Sequence, residues 1–90
     1  MVYTPRVLEP ASRQLKQLDP PIARRIVDRI RWLAEHFDET TPVPLKGDLA
    51  GLFKLREGDY RIIYEPLRKE RLLIVHEIGH RRNIYKKPRR

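Results

Sequence analysis

Residues 53–64 read Phe-Lys-Leu-Arg-Glu-Gly-Asp-Tyr-Arg-Ile-Ile-Tyr. Two runs that alternate apolar with charged residues meet at Glu57-Gly58, the short-range signature of a β-hairpin. With Glu57 and Gly58 as a two-residue loop, Arg56 pairs with Asp59, Leu55 with Tyr60, Lys54 with Arg61 and Phe53 with Ile62. One face then carries Phe53, Leu55, Tyr60, Ile62 and Tyr64, and the other carries Lys54, Arg56 and Arg61. A slip of one residue would set Leu55 opposite Arg61 and mix the faces, so the pattern favours the first register over that one. Lys54 opposite Arg61 is a like-charge pair, which destabilises a ladder by a few tenths to about 1 kcal/mol. Asp59 can relieve Arg56, but nothing on the hairpin relieves Lys54 or Arg61, and an anion held between them would account for both.

The flanking chain supplies the other elements. Ile22, Ile26, Ile30, Leu33 and Phe37 form an apolar stripe at helical spacing, with Arg24, Arg25, Asp28, Arg29 and Glu35 on the opposite face, which predicts an amphipathic helix. Asp19 suits its N-cap and Pro20 its first turn. Before it, Pro10 suits the start of a shorter helix along which Ala11, Leu15 and Leu18 recur; that helix must stop at Asp19, because the following prolines cannot continue it. Residues 2–8 have β character, but Pro5 lacks an amide hydrogen and restricts them to an edge strand. Prolines, threonines and glycines mark residues 38–51 as a loop. Downstream, a polar turn over residues 66–70 leads to a strongly apolar strand over 71–78, and Gly79 opens a basic segment from His80 to Lys87. The expected fold is α+β: an N-terminal strand, then a two-helix hairpin packed on a three- to four-stranded antiparallel sheet. The sheet's other face is left to solvent, to a ligand or to the terminal segment. No repeat or linker divides the chain, so residues 1–87 are expected to form a single domain and residues 88–90 a frayed end.

Ninety residues allow one modest core. Twenty Lys and Arg against twelve Asp and Glu give a net charge of +8, which points to a polyanionic partner, nucleic acid first among them. The absence of cysteine excludes a disulfide framework and a thiolate metal site. No apolar run approaches the roughly 20 residues that span a bilayer, and no signal-peptide stretch opens the chain, so no membrane partner is expected and the expected address is the cytoplasm.

Three constellations can carry chemistry. Lys54, Arg56, Arg61 and Arg81, with Lys46 in the preceding loop, form a single-signed cluster; arginine offers a planar fork of donors for phosphate oxygens and lysine a point charge. The alternative is a solvated sheet face. Tyr85 among basic residues can stack on an unpaired base or move a proton, or else pack beside Ile84 on the sheet edge. His76, Glu77 and His80 suggest half a metal motif, but a third ligand is missing at any evident position, so no metal or other cofactor is expected. His80 is then a phosphate contact or a bystander, and His36 is expected to meet the last carbonyls of its helix.

The segments Leu45-Lys46-Gly47, Phe53-Lys54-Leu55-Arg56, Gly58 to Glu65 and Ile78 to Tyr85, in this order and behind a two-helix hairpin, resemble the RelE/ParE toxin superfamily over nearly the whole chain. The resemblance implies a toxin of a type II toxin–antitoxin system, neutralised by a cognate antitoxin protein and reaching operator DNA only through that complex. Within the superfamily, RelE-like members cut mRNA on the ribosome and ParE-like members poison DNA gyrase. Lys54, Arg61, Arg81 and Tyr85 match the RelE-like pattern and imply the catalytic set, with Lys46, Arg56, His80, Arg82 and Lys86 as RNA contacts. Leu52 stands where the RelE pattern has another lysine, and the segment between Arg81 and Tyr85 is short; both departures point toward the gyrase branch.

Metal-independent RNA cleavage sends the 2′-hydroxyl against the adjacent phosphate. It requires a base for that proton, donors for the phosphate in the transition state and stabilisation of the leaving 5′ oxygen. On this chain Arg61, supported by Arg56, is expected to hold the phosphate and Arg81 the leaving oxygen. Lys54, made a weaker base-holder of its proton by Arg61 beside it, and Tyr85 are the candidate bases.

Overall fold

The turn that joins the two halves of the hairpin is Gly58-Asp59, not Glu57-Gly58. The computed structural model describes residues 2–84, and in it β3 (Phe53–Glu57) pairs with β4 (Tyr60–Leu67) so that Glu57 faces Tyr60, Arg56 faces Arg61, Leu55 faces Ile62 and Lys54 faces Ile63. Gly58 has φ +58°, at the first loop position, where a type II′ turn places glycine. The register therefore differs by two residues from that expected. A two-residue slip returns every side chain to its own face, so alternation could not tell the two pairings apart. The like-charge pair across the ladder is Arg56–Arg61, and Lys54 faces the aliphatic Ile63.

The remaining strands are β1 (Thr4–Val7), β2 (Val43–Pro44) and β5 (Leu72–His80), and the sheet order is β1-β5-β4-β3-β2. The sheet thus has five strands and is mixed, because β1 lies parallel to β5, with Thr4 beside Leu72 and Val7 beside Val75. The extra strand is β2, two residues within the expected loop, laid antiparallel on β3. The three strand prolines sit where a missing N–H is tolerated. Pro5 and Pro44 are on edge strands. Pro66, expected in a turn, lies in β4 beyond Tyr64, where β3 has ended and leaves that side open.

The two helices, α1 (Glu9–Lys16) and α2 (Pro20–His36), cover one sheet face. Asp19 stands at the N-cap of α2 as expected, although its side chain makes no capping hydrogen bond. Ile26 and Ile30 of α2 and Ala11 of α1 pack with Ile62, Val75 and Ile78, while Leu33, Ala34 and Phe37 pack with Tyr3, Tyr64 and Leu73. Each such buried aliphatic or aromatic side chain contributes about 1.5–3 kcal/mol. His36 meets its helix terminus as expected, its Nδ1 lying 2.8 Å from the carbonyl of Trp32. Arg71, in the turn before β5, adopts φ +58° and points its guanidinium over Tyr3 and to within 3.4 Å of Asp38. Among the described residues no helix is long and apolar enough to cross a membrane.

Between the pairs Ile63–Glu77 and Tyr64–Val75, β5 carries one extra residue, His76. This bulge is why Leu73, Val75 and Ile78 all reach the helix side despite their spacing. Glu77 and Gly79 consequently point to the opposite face.

The Gly58 turn is a direct stability test. Gly58→Ala should lower stability by about 1–2 kcal/mol, since an L side chain disfavours the left-handed region by that amount, and should drop the melting temperature by several degrees. Thermal unfolding followed by circular dichroism would measure it, and an unchanged midpoint would exclude the turn described.

Candidate functional site

The sheet face away from the helices carries Lys54 and Arg56 from β3 and Arg61, Ile63 and Glu65 from β4. Arg56 and Arg61 meet next to the turn. Arg61 folds its guanidinium back over that turn, one Nη donating to the carbonyls of Gly58 and Tyr60 at 3.0 Å each. Of its five N–H groups three remain for a ligand, and the two hydrogen bonds fix the direction in which they point.

The chain after β5 is tied to the same place. The Arg81 amide donates to the Asp59 carbonyl at 2.8 Å, and its Nε lies 3.7 Å from the Asp59 carboxylate. Both side chains are more than half exposed, so the ion pair adds little and the backbone bond does the positioning. Asp59 therefore serves Arg81 and not Arg56, as the hairpin alone suggested. A tight turn follows, with Asn83 and Ile84 both donating to the His80 carbonyl. It drops Ile84, fully buried, onto Gly79. A Cβ at Gly79 would stand 3.1 Å from the Ile84 side chain, so the smallest residue is what lets the chain cross there. Gly79 is the cross-strand neighbour of Arg61, and the terminal chain thus arrives beside that arginine on the face away from the helices.

The structure brings together Arg56, Arg61 and Arg81, with Lys54 two residues farther along the same face. Lys54 does not stand across from Arg61, so the neighbour expected to perturb it is displaced. Lys46 is not part of the cluster: it lies in the β2–β3 loop, at the end of β3 away from the turn, about 14 Å of strand distant. His80 faces the other way, its ring 5.5 Å from that of its cross-strand partner Tyr60 on the helix side. Arg82 is exposed in the turn, its amide donating to His80 Nδ1 at 3.2 Å. Tyr85 and Lys86 lie outside the described residues. His76 pairs with Glu65 at 3.0 Å, so the two histidines of the supposed metal half-motif turn to different partners.

Glu77, grouped in the sequence with His76 and His80, stands on the face of Arg61. Strict alternation from Leu73 and Val75 would put it with them, in the core; the bulge at His76 turns it out, diagonal to Arg61 across β4–β5. Six of the twenty Lys and Arg and none of the twelve acids fall in residues 81–90, so that stretch holds six of the eight net charges.

Residues 6–85 match the family of the ParE toxin of type II toxin–antitoxin systems, parDE. The chain belongs to this toxin family. A curated relative, toxin RelG of Mycobacterium tuberculosis, is 30% identical over 87 residues, spanning 97% of this chain and all of that one. Among solved structures, the toxin–antitoxin complex RelBE2 of the same organism superposes with a TM-score of 0.81 at 28% identity, covering 89% of this chain and 92% of that chain. A free RelE toxin of E. coli shares the fold at 17% identity, with a TM-score of 0.75 over 94% of this chain and 90% of that chain. The protein is thus a RelE-like type II toxin, and the α+β arrangement expected for the superfamily is the one observed.

In this toxin Tyr64 is a core tyrosine. Its ring packs against Phe37 and Phe53, and burial pushes its hydroxyl from 10.0 up to about 12, opposed by the nearby Arg68 cation. The unfolded chain releases this proton first, so the native state is at full advantage below pH 10 and loses it as pH rises toward 12. Stability should fall by roughly 2–3 kcal/mol across that window. Tyr64→Phe should flatten this part of the profile in denaturant titrations, and an equal fall in both proteins would show that other groups cause it.

Proposed function

We propose that this toxin is a metal-independent, ribosome-dependent mRNA endonuclease that blocks translation. The observation that supports it most is the convergence of Arg56, Arg61 and Arg81 on one sheet face, locked by the Gly58-Asp59 turn. The Arg61 guanidinium, held by two backbone carbonyls, with Arg56 across the ladder and the Arg81 main chain tied to the same turn, forms a preorganised site for a phosphate that gains charge in the transition state.

In the reaction the 2′ oxygen forms a bond to the adjacent phosphorus and the P–O5′ bond breaks. A 2′,3′-cyclic phosphate and a free 5′-hydroxyl result. One proton leaves the 2′-hydroxyl and another reaches the departing oxygen. Arg61 holds the nonbridging oxygens with Arg56 beside it, and Arg81 neutralises the leaving oxygen. Lys54 and Tyr85 are the proton carriers, and Arg82 and Lys86 hold the RNA backbone. His80, on the other side of the sheet, takes no part in phosphate chemistry. With no imidazole beside Arg61, free toxin should cut RNA poorly; the ribosome supplies the orientation that the site lacks, and orientation alone is worth several kcal/mol. The work is then cytoplasmic. The natural partner that silences it is an antitoxin of the RelB kind, the partner present in the related complexes, and operator DNA is reached through that complex.

The test is primer extension on a reporter mRNA after brief induction. The toxin should give discrete cuts within translated codons. Arg61→Ala and Arg81→Ala should each reduce cutting by about 10²–10³-fold, the usual loss for one transition-state donor, with melting temperatures close to that of the parent. Undiminished cutting in both variants would overturn the assignment, and growth arrest over intact mRNA would move the target to gyrase.

A further inference from the structure

The edge of β5 has a vacancy that the fold does not need. β1 covers that edge only as far as Val75, where the Leu8 amide donates to the Val75 carbonyl at 3.0 Å. Past this point, among the described residues, the outward-facing backbone groups of β5 have no strand beside them, a situation proteins usually cover or blunt. Gln14 reaches across from α1 and accepts the Ile78 amide at 2.7 Å. The Arg81 amide turns inward to Asp59, so the next outward amide is that of His80. Between the end of α1, the β5 edge and the terminal turn lies a cleft of about 280 Å³, at the small end of ligand-binding pockets.

Its lining is chemically mixed in a telling way. Tyr60 and His80 supply aromatic walls, their rings at 78° to each other. Because the Arg82 amide donates to His80 Nδ1, a neutral His80 must carry its proton on Nε2 and acts there as a donor. Gln17 and Asn83 border the cleft, each with a carboxamide that sets a donor beside an acceptor. His80 and Asn83 flank Arg81 in sequence, so the cleft and the phosphate-binding arginines share one turn.

We propose that this cleft is a nucleobase pocket in which Gln17 and Asn83 read the edge of one unpaired RNA base, while a neighbouring phosphate lies on Arg61 and Arg81. The proposal rests on the RNA-cleaving reading above and adds to it a source of sequence preference. Single-stranded RNA is recognised by this combination, aromatic contact with a splayed base and hydrogen bonds to its edge. Adenine is the best match, because its exocyclic amine lies beside a ring nitrogen on two edges, N1 and N7, each the complement of a carboxamide, whereas cytosine offers that pair on one edge.

Binding of 2′-O-methyl trinucleotides, which lack the attacking hydroxyl, to the full-length toxin separates this pocket from the catalytic reading. In ¹H–¹⁵N spectra the side-chain amides of Gln17 and Asn83 should shift with UAU and shift less with UUU and UCU. Gln17→Leu and Asn83→Leu together should weaken UAU binding about tenfold, the discrimination of one good base contact, and bring it level with UUU. The same double variant should cut reporter mRNA with altered preference at the bases flanking the cut. Shifts confined to Arg61, Arg81 and their neighbours, equal for all three probes, would overturn the pocket and leave the nuclease standing. No shift at either amide at millimolar probe would also overturn it, and primer extension would still judge the nuclease by itself.

Discussion

The two-residue turn at Gly58-Asp59 is the constraint on which the site depends. Its left-handed glycine fixes the β3–β4 register, and that register sets Arg56 against Arg61. The same turn offers the carbonyl of Gly58 to Arg61 and the carbonyl of Asp59 to Arg81. The Arg61 side chain is thereby aimed, and the Arg81 main chain anchored, by backbone acceptors, which neither titrate nor change rotamer. The cost is a like-charge pair on the open sheet, tolerated because Arg61 is turned toward carbonyl dipoles and Arg56 is exposed to water.

Elsewhere the charge does little to hold the fold. The ion pairs are exposed, such as Arg13–Glu9, or long, such as those at 3.9 Å from Arg25 and Arg29 to Glu57, and pairs of this kind contribute about 0–1 kcal/mol. Stability comes instead from the apolar layer between the helices and the sheet. In the sequence, six of the eight net charges fall in the last ten residues.

Much of this was legible in the sequence because it follows from periodicity and from proline. The stripe from Ile22 to Phe37 marked α2, the Asp19-Pro20-Pro21 break separated the helices, and alternation assigned each hairpin residue to its face. The misreadings share a cause: period-two patterns are blind to shifts of two and are broken by a single extra residue. The register slipped by two with no change of face. The bulge at His76 breaks the alternation along β5. The parallel pairing of β1 with β5 is a long-range contact with no local signature, and β2 is too short to show alternation. For the site, composition and resemblance named the arginines, but their convergence depends on one hydrogen bond between residues 59 and 81, which no pattern in either segment encodes.

The sheet divides the labour of this small toxin. Tyr60 and Arg61 are successive residues and must point to opposite faces, as must Gly79 and His80. The outward members of these pairs, Arg61 and Gly79, present a guanidinium and leave room for the crossing terminal chain. The inward members, Tyr60 and His80, line the cleft at the end of α1. An RNA strand passing over the end of β5 would therefore meet guanidinium groups on one side and carboxamides with aromatic rings on the other. Charge alone binds any sequence equally, whereas the second face can discriminate. The end of α1 borders that second face, with Gln14 inside the helix and Gln17 just past it both lining the cleft.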